Sequence, residues 1–412
     1  MAAIALAVVA VIVAGLAVHE LTKQKSVLNT NVKINTGQST ATKVGKKAAN
    51  TFLWPIYGLN DARTRVFEGP SDLEPPFKTG WKLSGNAPLE FPPDIDGNVM
   101  YFMDDHASVN KVNLTTGVRY WRKHVGVWSA ASPALDPKLH LLFVPVLSKT
   151  QDSPGNGQFV AMSMKNGNVV WTDPLPSGSE SSPLVWHGTV YFGDSGGTVH
   201  ALNARTGKQL WQFPTSGPEK GGPTLSKGIL YFGNYAGQLF AVNATTGKQV
   251  WEANPGGTVY ASPTVAYGRV YVGSTNGFMY SYSATTGVLG WSKDTGEYVY
   301  SSAAADTVPK LGATIYFGSY TGTAYALNAS TGAIDWSENL GGVHPAISGA
   351  ASIVNNVVYF SGVYHGLTKG YNVSTGQQVF SYTDGAYTST IASPRAVFLM
   401  GHYTLYQLLP TH

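Results

Sequence analysis

ALNARTGKQLW, residues 201–211, decides the fold, because the phrase returns along the chain with its tryptophan in register. It reads AVNATTGKQVW at 241–251, SYSATTGVLGW at 281–291 and ALNASTGAIDW at 326–336. Weaker copies are KVNLTTGVRYW, ending at Trp121, and GYNVSTGQQVF, ending at Phe380; the copy ending at Trp171 keeps only Gly167 of the Thr-Gly pair. Each copy is an alternating run, a turn and a second run closed by an aromatic residue. Asn203 bonds the backbone two residues on and Gly207 supplies the positive φ of a tight turn, so the phrase predicts a β-hairpin. A second pair of runs recurs upstream, as SSPLVWHGTVYFG at 181–193, GGPTLSKGILYFG at 221–233 and ASPTVAYGRVYVG at 261–273. Four short strands per unit follow.

Spacing converts the units into an architecture. The closing aromatics Trp121, Trp171, Trp211, Trp251, Trp291, Trp336 and Phe380 fall 40 to 50 residues apart, the length of a four-stranded propeller blade. Trp81, in KTGWKL, precedes them with one strand's worth of pattern, whereas 387–409 has strands but no terminal tryptophan. The strand around Trp81 is therefore expected to complete the last blade and to leave no free sheet edge. The expected fold is all-β, an eight-bladed β-propeller of four-stranded blades over 77–410, closed by an N-terminal strand. A single N-terminal apolar helix over 1–19, a flexible linker over 20–51 and an ordered lead-in over 52–76 are expected to precede it.

The repeats resemble the pyrroloquinoline quinone (PQQ)-like β-propeller family, whose signature is an Ala-Leu-Asp-like start, a Thr-Gly turn and a docking tryptophan. The resemblance covers about residues 77–410 and implies the fold, not one function. Quinoprotein dehydrogenases of that family hold PQQ and calcium over the channel. BamB-like scaffolds of envelope assembly bind no cofactor.

The first eighteen residues, MAAIALAVVAVIVAGLAV, carry no charged side chain and are long enough to span most of a hydrocarbon core. A signal peptide would begin with a basic residue and end at a small-residue cleavage site. Here no Lys or Arg leads, and His19, Glu20 and Leu21 follow, which favours an uncleaved anchor over a signal segment. With no cysteine in the chain, a lipid-modified Cys is excluded. Lys23, Lys25, Lys33, Lys43, Lys46 and Lys47 follow the span, a flank that the positive-inside rule would hold in the cytoplasm. The Asn-, Ser-, Thr-, Gly- and Tyr-rich body is of an exported type, and the expectation is extracytoplasmic, membrane-anchored in the cell envelope.

Composition supports a large folded body, with 43% hydrophobic residues to bury and 47 glycines for turns. The net charge of +4 is uneven: residues 1–50 carry +5, leaving −1 for the remainder. A broad nucleic-acid groove is thereby excluded, and the basic stretch reads as a solvated stalk that lies against anionic lipid or serves solubility alone. Between stalk and blades, FLWPIYGLNDARTRVF at 52–67 turns abruptly aromatic. It predicts a segment packed on the propeller, pinned by ion pairs of Arg63 and Arg65, or a partner-docking site made of Trp54, Tyr57, Arg63 and Arg65.

Candidate catalytic motifs dissolve in the repeat alignment. GDSGG at 193–197 looks like a serine-protease nucleophile motif, but the same slot holds GNYAG at 233–237, GSTNG at 273–277 and GSYTG at 318–322. It is a strand-to-strand turn, with no His and Asp in triad context for Ser195. Asp94 and Asp96 in DIDGN lack the third acidic position and distal Glu of a calcium loop. Asp104, Asp105 and His106 cluster at a surface turn, and the ten His show no ligand spacing, so no metal site is expected.

The blades' symmetry yields a sharper candidate. Inner strands line the channel of such propellers, and the position three before the proline slot of the Ser-Pro motif reads Glu90, Ala130, Glu180, Lys220, Tyr260, Tyr300, Ser348 and Tyr387. A ring of tyrosines and charges there forms either a water-filled channel whose Glu and Lys pair or a site for a small polar ligand. The docking aromatics Trp81, Trp121, Trp171, Trp211, Trp251, Trp291, Trp336 and Phe380 read as structural wedges between blades.

Two functions remain. The first is a non-enzymatic protein-interaction or envelope-assembly scaffold, with protein or envelope polymer as partner and no cofactor. Regular blades with few insertions favour it, since enzymes of this fold build their sites from inserted loops; the longest insertion, LSKTQDSPGNGQ at 147–158, is polar and turn-rich. The alternative is a PQQ- and calcium-dependent dehydrogenase oxidising an alcohol or sugar, with Glu90 and Glu180 the first residues to test. The resemblance implies, for such alcohol dehydrogenases, a disulfide of adjacent cysteines over the cofactor, which this chain cannot form. No catalytic residue is carried over.

Overall fold

In a computed structural model, residues 26–27, 32–37, 40–45, 51–149, 156–342, 345–364, 366–385, 387 and 390–411 are described. They build mainly antiparallel sheets arranged as a β-propeller. The unit at 184–214 is representative: Leu184–Trp186, Thr189–Gly193, Thr198–Asn203 and Gln209–Pro214 pair in sequence order. The middle strands are buried on both faces because sheets pack on either side, which is why they read as near-continuous apolar runs such as VYFG. The last strand alternates exposed and half-buried residues, the period of a strand with one covered face.

The repeated phrase does two jobs at once. Asn203 Oδ1 accepts the amides of Arg205 and Thr206 at 3.1 and 3.0 Å, and Gly207 takes φ 72°. A register shift between Ala201 and Leu202 bulges the hairpin beside this turn, and the same bulge recurs at Ala241/Val242, Ser281/Tyr282 and Ala326/Leu327. The turn is also a seat for the tryptophan of the preceding sheet: a Cβ on Gly207 would lie 2.8 Å from the Trp171 ring. Trp171 Nε1 donates to Ala204 O at 3.1 Å, and Trp81, Trp211, Trp251, Trp291 and Trp336 bond the equivalent carbonyls of Leu114, Ala244, Ala284, Ala329 and Val373. A second-strand tyrosine often joins them, as Tyr191 Oη does on Ala244 O at 3.1 Å. The Trp121 ring lies against Gly167 without a partner for its Nε1 among the described residues, and Phe380 packs edge-on against Phe77 at 5.7 Å.

Two parts of the expected fold are corrected. Eight equal four-stranded blades do not form. Seven sheets, at 94–124, 134–175, 184–214, 224–253, 264–294, 304–339 and 352–382, are each completed by one continuous run of four strands, but the first gains a fifth strand and the last gains two, for six. The closing set is a composite: Ile391–Ser393, Ala396–Met400 and Thr404–Pro410 pair with Phe77–Ser84 from the other end of the propeller sequence. The second correction concerns the helix. No helix long and apolar enough to cross a membrane occurs among the described residues, and the expected span at 1–19 lies outside them.

The extra strands come from the segments that carry no repeat. Thr42–Lys43 pairs in parallel with Val66–Glu68, which pairs in parallel with Ser352–Val354; Leu53–Trp54 pairs with Asp94–Asp96. Parts of 20–51, expected as a flexible linker, also touch the sheets, since Val27 bridges Ser292 and the Asn35 amide donates to Tyr267 O at 2.8 Å.

Residues 52–68 run round the inside of the ring. Their carbonyls accept inner-strand amides from sheet after sheet: Pro55 from Leu135, Asp61 from Leu225, Ala62 from Val265, Thr64 from Ala305 and Arg65 from Ile353, each at 2.8 to 3.0 Å. The sheet at 184–214 is reached by a side chain instead. Arg63 donates through Nη2 to Ser182 O at 2.9 Å, through Nε to Pro223 O at 3.0 Å and through Nη1 to Tyr57 O. Arg65 Nη1 bonds Ala303 O and Thr264 Oγ1, both at 3.0 Å. The ion pairs expected of these arginines are replaced by carbonyl bonds, because the channel wall offers backbone acceptors on every side. Trp54, Arg63 and Arg65 are at most 2% exposed; the structure encloses them within the chain rather than on an open docking face.

Candidate functional site

The lead-in blocks the channel and so turns its other end into a blind cup of about 280 Å³. Tyr57 forms the floor, with the Arg65 and Arg63 guanidiniums 4.9 and 5.4 Å from its ring centroid and Phe91 edge-on at 6.2 Å. Inner-strand approaches supply the wall. Glu90, Lys220, Tyr260, Tyr300, Ser348 and Tyr387 line the cup, so one repeat position converges as its spacing anticipates. Glu180 joins through Lys220, whose Nζ donates to Oε1 at 2.6 Å. Ala130 is not part of the lining.

Sequence reasoning missed a second ring. Tyr235 and Tyr320 also line the cup, and both occupy the third position of the turn that holds Ser195 in GDSGG. Asp105 occupies the same slot, and the backbone repeats accordingly: Asp105 N bonds Pro88 O, Tyr235 N bonds Pro218 O and Tyr320 N bonds Tyr298 O. The signal was present in these turns, where an aromatic or acid replaces a small residue. The turns' own carboxylates are structural, as with Asp194, which takes the Thr198 amide at 2.8 Å and His200 Nε2 at 2.9 Å.

Tyr300 meets two of the other tyrosine rings edge-on. Tyr300 lies 5.1 Å from Tyr260 and 4.9 Å from Tyr320, ring centroid to centroid, and Tyr235 lies 6.0 Å from Tyr260. Lys220 Nζ stands 5.2 Å over the Tyr235 ring. The rim is exposed: Trp128, Tyr298, Tyr364 and Tyr403 are 45–60% accessible, and all lie in connections on the face where the cup opens.

The carboxyl that lines the cup, Glu90, has others near it. Burial, reinforced by Glu180, pushes Glu90 above the usual carboxylate range. Burial, with the Glu90 and Asp104 charges, pushes Asp105 up to about 8. A carboxyl whose folded pKa is raised binds its proton more tightly in the native state, so its contribution to stability is full below the unfolded value of about 4 and is lost as pH rises towards 8. Urea midpoints of the native chain are expected to fall across pH 5–8, and Asp105→Asn is expected to flatten that slope; equal slopes would remove Asp105 as its source.

Fold and cup together define a β-propeller of the repeat type that the Thr-Gly phrase implies. The chain belongs to the family described as outer membrane protein assembly factor BamB, whose profile matches residues 78–195, 108–221 and 195–407. No curated protein matches it in sequence. Among solved structures it is similar to BamB from Moraxella catarrhalis, with 17% identity, a TM-score of 0.65, and coverage of 82% of this chain and 99% of that one. It is also similar to the quinohemoprotein alcohol dehydrogenase from Comamonas testosteroni (15% identity, TM-score 0.68, 88% and 81% covered) and to a europium-containing methanol dehydrogenase (14%, 0.67, 87% and 98%). At such identities the likeness shows the fold alone.

Proposed function

We propose that this chain is a non-enzymatic interaction scaffold of the cell envelope, working on the extracytoplasmic side. The observation that supports it is the rim of Trp128, Tyr298, Tyr364 and Tyr403, four exposed aromatics on one face of a rigid disc. Large aromatics are the residues that protein interfaces enrich, and they are otherwise sparingly exposed.

The donor set speaks against the dehydrogenase reading. PQQ is a planar tricarboxylate, which calls for cations in its site. Among the described residues the one ammonium lining the cup, Lys220, is bonded to Glu180, while Glu90 adds a further negative charge. No group of three His, Asp or Glu side chains among the described residues suits a metal ion. We therefore do not assign PQQ to the cup.

A photo-crosslinking residue at position 128 or 298 is expected to capture one discrete partner in the source cell, whereas the same residue at outer-edge position 169 captures none. Equal yields from all three positions would overturn the assignment of the contact face. Saturable PQQ binding with alcohol oxidation, lost in Glu180→Gln, would replace the scaffold with the enzyme.

A further inference from the structure

Glu90 and Lys220 line the cup, Glu180 is bonded to that ammonium from behind the lining, and Asp105 stands near enough to Glu90 for their charges to repel. Glu180 is satisfied by that ammonium. Among the described residues Glu90 has no hydrogen-bond or ion-pair partner, and no cation stands over the rings of Tyr260, Tyr300, Tyr320 or Tyr387. A carboxylate held in an aromatic enclosure without a counter-charge is costly, and the electron-rich faces of tyrosine attract ammonium and guanidinium groups.

The chain supplies an internal example of the geometry. Lys220 Nζ sits 5.2 Å over Tyr235 and 2.6 Å from Glu180 Oε1, one ammonium shared between a ring and a carboxylate. Glu90 lines the same cup within electrostatic reach of Tyr260 and Tyr387, and so offers an amine the same pair of partners, a carboxylate and a ring. The volume, about 280 Å³, lies at the lower limit of small-molecule pockets and suits one extended side chain better than a folded ligand.

From this arrangement we infer that the cup binds a protonated primary amine, with Glu90 as its counter-ion and the tyrosine faces as its walls, and that the amine is a lysine side chain of the protein docked on the aromatic rim. The inference rests on the scaffold reading for the source of the lysine, not for the amine chemistry. Polyamines share that chemistry and are the competing source.

Calorimetric titration of the full-length chain distinguishes these. n-Butylammonium is expected to bind saturably and at least tenfold more tightly than n-pentanol, its neutral counterpart in size. Glu90→Gln is expected to lower n-butylammonium affinity about tenfold without lowering the melting temperature. Tyr300→Leu is expected to weaken it severalfold, while Tyr300→Phe, which keeps the face, stays within twofold. Equal binding of n-pentanol, or undiminished binding by the Glu90→Gln chain, overturns the inference. A lysine-containing peptide is expected to bind more tightly than its Nζ-acetylated form and than spermidine; a preference for spermidine overturns the assignment to lysine. If crosslinks from the rim persist but no amine binds, this inference fails and the scaffold stands. If amines bind and the rim captures nothing, the scaffold fails.

Discussion

Replacing Arg63 by methionine is expected to destabilise the propeller by about 3–5 kcal/mol, the range seen when one member of a buried charged network is removed. Arg63 is fully buried and donates to the carbonyls of Tyr57, Ser182 and Pro223. Methionine fills much of the space but leaves three acceptors without their donor, each costing on the order of 1–3 kcal/mol if no water replaces it. The loss extends to charge. Burial pushes the carboxyls of Asp94 and Glu219 well above their usual range, and Arg63 pulls both back down. Without the guanidinium, the charged form of both becomes less favourable still. At roughly 2 cal/mol/K of unfolding entropy per residue, a loss of this size lowers the melting temperature by about 5 °C. Arg63→Lys, which keeps charge but not the fork, is expected to fall between. A Met variant that melts with the parent would show that the lead-in is not fastened through this residue.

Trp291→Ala carries the other large effect, again about 3–5 kcal/mol. Trp291 is wholly buried, packs 6.0 Å from Tyr271, covers Gly332 of the next sheet and donates from Nε1 to Ala329 O at 3.0 Å. Truncation opens a void between sheets and unfastens a carbonyl. Trp291→Phe separates these costs, since it keeps most of the packing and loses the bond, worth about 1 kcal/mol. Trp121→Ala is the internal comparison: its ring is partly exposed and its Nε1 bonds nothing among the described residues, so its urea midpoint is expected to move less. A Trp121→Ala midpoint shifted as far as that of Trp291→Ala would contradict the wedge as described.

What the sequence made legible was whatever the repeat enforces. The Thr-Gly turn had to recur because it serves both its own hairpin and the neighbour's tryptophan, and the ring of Glu90, Lys220, Tyr260, Tyr300 and Tyr387 emerged because one slot maps onto one radius. What escaped is chemistry without a repeat. The path of 52–68 is written in backbone carbonyls, which every residue possesses, so no side-chain pattern announces it. One trace was available: Gly222 replaces the serine found at Ser132, Ser182 and Ser262, and a Cβ there would come within 2.6 Å of the Arg63 guanidinium. The expectation of four strands in every sheet failed for a related reason, since the additional strands belong to unrepeated sequence. Tyr235 and Tyr320 were passed over because their turn was read for its glycines and not for what stood between them.

The internal course of residues 52–68 also changes how strength is distributed. In a repeat array each unit leans on its two neighbours, and total stability is close to a sum of local terms. Here one segment is bonded to inner strands on opposite sides of the axis, from Leu135 through Leu225, Val265 and Ala305 to Ile353. It works as a hoop fastened inside the staves of a cask. A stave cannot spring without loosening the hoop, and a loosened hoop is felt by staves that never touch, so the disc yields as a whole or not at all.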